Sequence, residues 1–154
     1  MKGLESQVNR VVEEVSREVK KACIQSLNQV LNKTVADIKE DISVPVVRIG
    51  GNVIRSQPGE PPRKDTGKLH KGVGFERPRL SGNSKVISGL YSFRLMDTFL
   101  DSNVPAGLEF GMSRSNWGVK VLPRPYFFKV NGQSRMKKTR DRLISELLDR
   151  IKSI

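Results

Sequence analysis

The chain has 154 residues, of which 36% are hydrophobic and 29% charged, a size that allows one hydrophobic core but not two. No apolar run approaches the roughly 20 residues of a membrane-spanning helix, and the N-terminal residues lack the apolar segment of a secretory signal. The composition therefore predicts one soluble domain, residues 1–154, with no membrane partner. The lone Cys23 cannot form an internal disulfide, which suits assembly in a cytoplasm.

The charge of the chain is strongly asymmetric. There are 28 Lys and Arg against 16 Asp and Glu, a formal net charge of +12. Residues 1–42 hold seven of each sign, so residues 43–154 hold 21 basic and 9 acidic residues and carry the whole surplus. Such a surplus favours contact with nucleic acid or another polyanion. A solvated basic surface, or one that meets an acidic neighbouring subunit, is the alternative that the pattern leaves open.

The N-terminal quarter of the chain reads as one long helix. Apolar residues recur at helical spacing from Leu4 to Ile42, and no Gly or Pro follows until Pro45. This predicts a helix over residues 1–43, about 55–60 Å long at about 1.5 Å per residue. A compact domain of this size is only about 30–35 Å across. One end should therefore overhang and need a partner chain, unless the helix breaks near residues 28–32.

The middle of the chain, residues 44–130, reads as a small, mostly antiparallel sheet with a long loop. Residues 55–72 form the loop, because they carry three Pro, three Gly and seven charged residues. β-rich composition and alternation indicate the strands, which we expect at 44–49, 73–75, 85–96, 105–110 and 119–121.

Helical spacing returns near the C-terminus and predicts a helix over residues 134–153, with Gly132 and Ser134 as its entry signals. The fold class expected from these elements is α+β. The periodic apolar residues of this helix are Met136, Leu143, Ile144, Leu147, Leu148 and Ile151.

The sequence gives no support for an enzyme, a cofactor or a metal site. The single His70 is flanked by Lys68 and Lys71, which should lower rather than raise its basicity, and Cys23 falls on the apolar stripe of the first helix. One His and one Cys cannot supply a zinc ligand set. A metal-free ribonuclease built on Tyr126, Arg124 and Lys129 is the one catalytic alternative, and the remaining sequence does not favour it.

Five cations cluster at the start of the C-terminal helix, where positive charge opposes the helix dipole. This placement indicates either another use, such as non-specific contact with DNA phosphates, or a solvated face. The cluster consists of Arg135, Lys137, Lys138, Arg140 and Arg142.

Three short segments carry the most specific signal in the chain. Pro58–Pro62 approaches a Thr-Gly-Lys-Leu turn at 66–69, Glu-Phe-Gly follows at 109–111, and Arg-Pro-Tyr-Phe follows at 124–127. In this order, after a long N-terminal helix, they resemble the neck and tail-completion proteins of tailed bacteriophages, which take part in head–tail joining. The matched positions expected to serve fold and assembly are Thr66, Gly67, Leu69, Glu109, Phe110, Gly111, Arg124 and Pro125.

Each matched segment also has a local physical interpretation. Thr66 can cap a turn in which Gly67 takes a positive φ, and Leu69 can then anchor the next strand. We expect Glu109 and Phe110 on a strand, with Phe110 inward and Gly111 at the strand exit. Glu109 and Arg124 could form an ion pair, within one subunit or between subunits.

The resemblance implies a structural virion protein of the neck or tail, assembled in the host cytoplasm. It implies a homo-oligomeric ring, a hexamer or dodecamer, that joins the head connector to the tail-tube or terminator protein around a DNA channel. Residues 91–100 and 113–121 depart from the family pattern, so a tail-terminator ring remains open. A free basic nucleic-acid-binding protein is the alternative from another class.

Overall fold

The computed structural model describes residues 2–82, 85–92, 108–111, 122–130 and 133–154. These residues form an α+β fold with a long N-terminal helix, small antiparallel sheets and a C-terminal helix. The elements are α1 (Lys2–Asp41), β1 (Val47–Ile49), β2 (Asn52–Ile54), α2 (Lys68–Gly72), β3 (Val73–Leu80), β4 (Val86–Ser92), β5 (Lys129–Val130), β6 (Gln133–Ser134) and α3 (Arg135–Ile151).

Helix α1 is continuous over 40 residues, which confirms the predicted long helix without a break near residues 28–32. It ends in a tight turn in which the backbone N–H and the side chain of Ser43 both donate to the Glu40 carbonyl. Pro45 follows within two residues and cannot continue the helix. The end of α1 is therefore set by local sequence.

The described strands form three separate two-stranded antiparallel sheets rather than one sheet. In the first, β1 and β2 are joined by Gly50 and Gly51, with φ of 55° and 83°, the positive values that a two-residue hairpin turn requires. The second, β3–β4, is the longest and packs against α1. The third, β5–β6, leads directly into α3.

Several predicted bounds are corrected by the structure. The first strand begins at Val47, the loop ends in the short helix α2, and the strand from Val73 continues to Leu80. Residues 108–110 are helical where a strand was expected. Strand β4 (Val86–Ser92) corresponds to the first part of the strand expected at 85–96. The rest of that strand, residues 105–107 and the strand expected at 119–121 lie outside the described residues.

Helix α3 begins as predicted at an N-cap serine, since the Ser134 hydroxyl accepts from the backbone N–H of Lys137 at 3.3 Å. It runs antiparallel to α1, because its successive residues pair with progressively earlier residues of α1. Three contacts define this direction: Arg135 to Asp41, Thr139 to Thr34, and Glu146 to Gln29.

The core lies at the C-terminal end of α1. Ile38, Ile42, Val73 and Tyr126 are almost fully buried together. By contrast, residues 5–17 of α1 are all exposed. We call this exposed segment the overhang; it is about 20 Å long at 1.5 Å per residue, and Leu80 at the end of β3 lines a cavity with Val12 and Ser16 in its second half.

Candidate assembly site

Glu109 is the centre of the site that the three sequence motifs form. It lies in the helical turn at 108–110 and is only 8% exposed. Its carboxylate accepts the backbone N–H groups of Tyr126, Phe127 and Phe128 at 2.8, 2.9 and 2.9 Å. Hydrogen bonds to an ionised acceptor are stronger than neutral ones. One side chain therefore fixes the path of three consecutive residues in the Arg-Pro-aromatic segment.

Arg124 connects the same segment to the Pro-rich loop. Its backbone N–H donates to the Leu108 carbonyl at 2.6 Å, and its Nε donates to the Ser56 carbonyl at 3.1 Å. One residue earlier, the Pro123 carbonyl accepts from Gly59 at 2.9 Å. Within one chain, hydrogen bonds to backbone groups thus take the place of the ion pair considered for Glu109 and Arg124. The Glu109 carboxylate accepts from backbone N–H groups, and the Arg124 side chain donates to a backbone carbonyl.

The Thr-Gly-Lys-Leu turn adopts the conformation that its glycine predicts. Gly67 has φ 76° and ψ 1° at the start of α2, a left-handed conformation that costs other residues free energy. The Thr66 hydroxyl accepts from the Lys68 N–H at 3.4 Å, a long and weak hydrogen bond. Leu69 packs against the core cluster, so the turn is anchored by apolar contact.

The Glu-Phe-Gly segment differs from its expected form in two respects, because it lies in a helical turn rather than a strand and its Phe110 faces solvent. Phe110 is 68% exposed rather than inward, and its ring lies 5.9 Å from that of Phe128. In a helical turn, neighbouring side chains point about 100° apart. Because Glu109 points inward, Phe110 points to solvent. Gly111 then leaves the turn with φ 79°, as its glycine predicts.

Tyr126 is the residue on which the three motifs converge. It is 1% exposed and packs in the core cluster, where Leu69 from the first motif and Leu108 from beside the second also pack. Pro125, half-buried, precedes it. The segments that the sequence singled out separately are therefore one packed junction, which we call the motif junction.

The predicted cationic cluster divides into two groups. Arg135 is buried: its guanidinium donates to Asp41 at 2.5 Å and to the Tyr126 carbonyl at 3.1 Å. Arg142, mostly buried, pairs with Asp37 at 2.5 Å. Both arginines hold α3 against α1 and are not available to phosphate in this structure. The remaining members, Lys137, Lys138 and Arg140, are exposed.

The described residues contain no group of three or more His, Cys, Asp and Glu placed to hold a metal ion. Partial burial, followed by the charges of Lys64 and Lys39, lowers the pKa of His70. The nearby Asp65 pairs with Arg48 at 2.7 Å. Within the same residues, no helix is both long enough and apolar enough to cross a bilayer.

Sequence reasoning missed how α3 is oriented. Its apolar period predicted a helix but not which side faces α1: Met136, Ile144, Leu148 and Ile151 are 41–52% exposed while polar side chains face α1. On the opposite face of α3, polar residues recur at helical spacing, and polar residues of α1 lie across from them. That pattern is the signal that could have indicated the orientation of α3. The polar residues are Arg135, Thr139, Arg142 and Glu146.

No protein-family model, curated protein or solved structure matches this chain. The likeness to phage neck proteins therefore depends on the ordered segments themselves.

Proposed function

We propose that the chain is a structural subunit of a tailed-bacteriophage virion, located at the head–tail junction. In this proposal several identical copies, six or twelve, form a tail-completion or neck ring between the head connector and the tail. Assembly takes place in the host cytoplasm. The order of the Thr-Gly-Lys-Leu, Glu-Phe-Gly and Arg-Pro-aromatic segments after a long helix supports this assignment.

One structural observation supports the proposal: among the described residues, α1 and α3 both carry exposed apolar side chains. Four valines of the overhang are 48–60% exposed, and four apolar side chains of α3 are 41–52% exposed. Contiguous exposed apolar surface of this kind marks a protein–protein interaction site. A subunit that is completed by its neighbours would account for these surfaces.

The charge of the chain suits a ring that DNA traverses. Lys137, Lys138 and Arg140 lie exposed at the start of α3, in the part of the chain that carries the basic surplus. Cations on a channel wall would contact phosphates without reading bases, and such contacts weaken steeply with salt. We propose that these three residues face the genomic DNA.

The test is the solution mass of the purified chain by light scattering, measured alone and with an added head-connector or tail-tube protein. We expect a closed ring, alone or upon addition of that partner. A chain that stays monomeric and binds neither partner protein would contradict the proposal. If the ring binds only the end of the tail tube and not the connector, it is a tail terminator.

The net charge of +12 favours a second candidate, a free nucleic-acid-binding protein. That candidate predicts a monomer or dimer that binds duplex DNA tightly with a steep salt dependence. The same light-scattering experiment, with DNA in place of the partner proteins, separates it from the neck protein.

A further inference from the structure

Basic side chains gather around His70, at the point where helix α2 meets the end of α1. Leu69, the residue before His70, packs against the core cluster that contains Ile38 and Ile42 of α1. Lys39 follows Ile38 in the chain, so α1 brings one cation to this junction. Both His70 and Lys39 are half-buried there.

The loop before α2 brings a second cation, Lys64, to the same place. Its backbone is held beside the end of α1, because the Lys64 N–H donates to the Val44 carbonyl at 2.7 Å and the Val46 N–H donates to the Lys64 carbonyl at 3.1 Å. Its side chain extends toward α2, where its Cε lies 3.3 Å from the position that a Cβ would take at Gly67. Lys64 therefore approaches His70 from an element other than α1.

The charges of both lysines act on the imidazole. Partial burial, followed by the charges of Lys64 and Lys39, lowers the pKa of His70, so the imidazole is mostly neutral at neutral pH. Lys68 and Lys71 are exposed in the same five-residue helix as His70. We call these five residues, Lys39, Lys64, Lys68, His70 and Lys71, the basic cluster.

The nearest carboxylates in the chain are used elsewhere. Asp65 pairs with Arg48 at 2.7 Å, and Asp41 pairs with Arg135. In the part of the chain that the structure describes, no ion pair joins a carboxylate to the imidazole or to the two lysines that act on it. The like charges at this junction are therefore not neutralised within the described residues.

Other charged or titratable groups lie on the elements that pack around α2. Helix α2 contacts β3 and β4 as well as the core end of α1. The charges that act on His70 are nevertheless those of the two lysines. The other groups are Glu40 in the last turn of α1, Arg63 in the loop, Glu76, Arg77 and Arg79 on β3, and Tyr91 on β4.

The basic cluster lies at the same end of α1 as the cations proposed to face DNA. The ammonium of Lys138 is 3.9 Å from the carboxylate of Asp37, and Asp37 is two residues from Lys39 in α1. Cations from α1, from the loop before α2 and from α3 therefore meet at one end of the molecule. An extended polyanion can contact cations that are spread in this way.

We infer that the basic cluster is a second contact site for the phosphate backbone of duplex DNA, in which Lys39 and Lys64 contact phosphate oxygens and protonated His70 donates to one. Like charges held close together repel one another, and an anion placed between them removes that cost. Such contacts carry no base specificity. The inference deepens the proposed function and rests on it for the identity of the anion.

Proton uptake should accompany this contact. A phosphate beside the imidazole favours its charged form, so DNA raises the pKa of His70 and the complex holds more protons than the free protein. The affinity for DNA should therefore rise as the pH falls from about 8 to about 5.5, the interval in which histidine titrates.

The first readout is the titration of His70, the single histidine of the chain. Nuclear magnetic resonance of a ¹³C label at Cε1 follows its protonation with and without a short random-sequence duplex. We expect the pKa of His70 to lie below its ordinary value without DNA and to rise when the duplex is added. Inorganic phosphate at the same ionic strength should raise it less, because it lacks the neighbouring phosphates of the backbone.

Fluorescence anisotropy with the same duplex gives the second readout. The double variant Lys39→Gln and Lys64→Gln should bind at least about fivefold more weakly at about 0.1 M salt, with a salt slope lower by about 2. The control, Lys33→Gln and Lys85→Gln, removes the same charge at exposed positions and should change affinity less than about twofold. His70→Gln should abolish the pH dependence, and circular dichroism confirms that each variant is folded.

Three outcomes would overturn the inference: DNA binding that leaves the titration of His70 unchanged, a double variant that binds as tightly as its control, or a pKa that rises with inorganic phosphate but not with the duplex. If DNA affinity falls only when Lys137 and Lys138 are altered, the inference fails while the proposed DNA contact of α3 stands. Ring formation is measured by light scattering without DNA, so the neck assignment is tested separately.

Discussion

At the scale of single residues, Glu109 organises the motif junction through backbone donors. We expect Glu109→Ala to destabilise the fold by about 2–3 kcal/mol, because the buried N–H of Tyr126 and its neighbours would lose a charged acceptor. Glu109→Gln should cost less, about 1–2 kcal/mol, since one amide oxygen still accepts. Urea denaturation followed by circular dichroism measures both values.

Glu60 provides the control for this prediction. Its carboxylate also accepts a backbone N–H, that of Gln57 at 3.0 Å, but at an exposed position. Glu60→Ala should change the free energy of unfolding by about 0.5 kcal/mol or less, as is usual for surface substitutions. Equal effects at the two glutamates would show that burial of the Glu109 carboxylate does not matter for stability.

Gly67 makes the turn of the first motif possible. Its φ of 76° is unfavourable for residues with a Cβ, and a Cβ there would lie 3.3 Å from Cε of Lys64. Lysine can move aside, so we assign the cost to the backbone: Gly67→Ala should lose about 1–2 kcal/mol of stability. Thermal unfolding measures this loss.

Gly82 is the matched position, because it has no positive φ and nothing lies within 4 Å of an added Cβ. Gly82→Ala should leave the melting temperature unchanged or raise it slightly, since alanine restricts the unfolded chain. A melting temperature for Gly67→Ala as high as that for Gly82→Ala would refute the assignment of the cost to positive φ.

At the scale of elements, α1 and α3 are joined by polar contacts. Arg135 is the most buried of these residues, with its side chain 4% exposed beside Asp41. Arg135→Ala should destabilise the fold by about 1.5–3 kcal/mol, the range for hydrogen bonds to charged groups. Arg140, exposed and paired with its sequence neighbour Asp141, is the control, and Arg140→Ala should cost about 0–1 kcal/mol.

Chemical denaturation of the two variants gives the comparison, with the α-helical signal as readout. If Arg135→Ala were as stable as Arg140→Ala, the helix pair would be held by something other than these ion pairs. The result also bears on function, because a guanidinium that is required between the helices is not free to bind DNA.

The two long helices could be predicted from sequence because a period of 3.6 in apolar residues persists over many turns. Periodicity does not say what covers a stripe, and for that reason the orientation of α3 was not predicted. The apolar residues from Met136 to Ile151 indicate a helix with a buried face, but not whether the same chain or another one buries it.

The candidate site was predictable in part. The positive φ of Gly67 and Gly111 follows from glycine in turn-like sequence. The role of Glu109 did not follow, since its three donors lie 17–19 residues away in the chain and no local pattern connects them. The burial and ion pair of Arg135 could not be predicted for the same reason, because its partner Asp41 lies 94 residues away in the chain.

At the scale of the whole molecule, the exposed valines of the overhang lie apart from the basic surplus, whereas the exposed apolar side chains of α3 share that helix with Lys137, Lys138 and Arg140. The overhang is nearly neutral and apolar on one side, whereas the body carries the surplus of basic residues. Attachment between copies through the overhang and contact with DNA through the start of α3 would therefore involve separate surfaces. In such a ring, self-association would respond mainly to apolar substitutions, and DNA contact mainly to salt and charge reversal.

This separation leads to a prediction for Lys137 and Lys138. If both contact phosphates, the double variant Lys137→Glu and Lys138→Glu should reduce the slope of log affinity against log salt by about 2, or about 1 for each lost contact. Fluorescence anisotropy with a random-sequence duplex at several salt concentrations measures the slope. Circular dichroism should not change, because both side chains are exposed and the contact of Lys138 with Asp37, at 3.9 Å, is a long surface ion pair.

The matched control reverses the same amount of charge on α1, at the exposed Lys21 and Lys33. It lowers the net charge equally, so it should weaken DNA binding only through the long-range field and leave the salt slope nearly unchanged. Equal slopes for the two double variants would mean that the start of α3 makes no direct phosphate contact. The DNA would then have to meet the basic surplus elsewhere in residues 43–154.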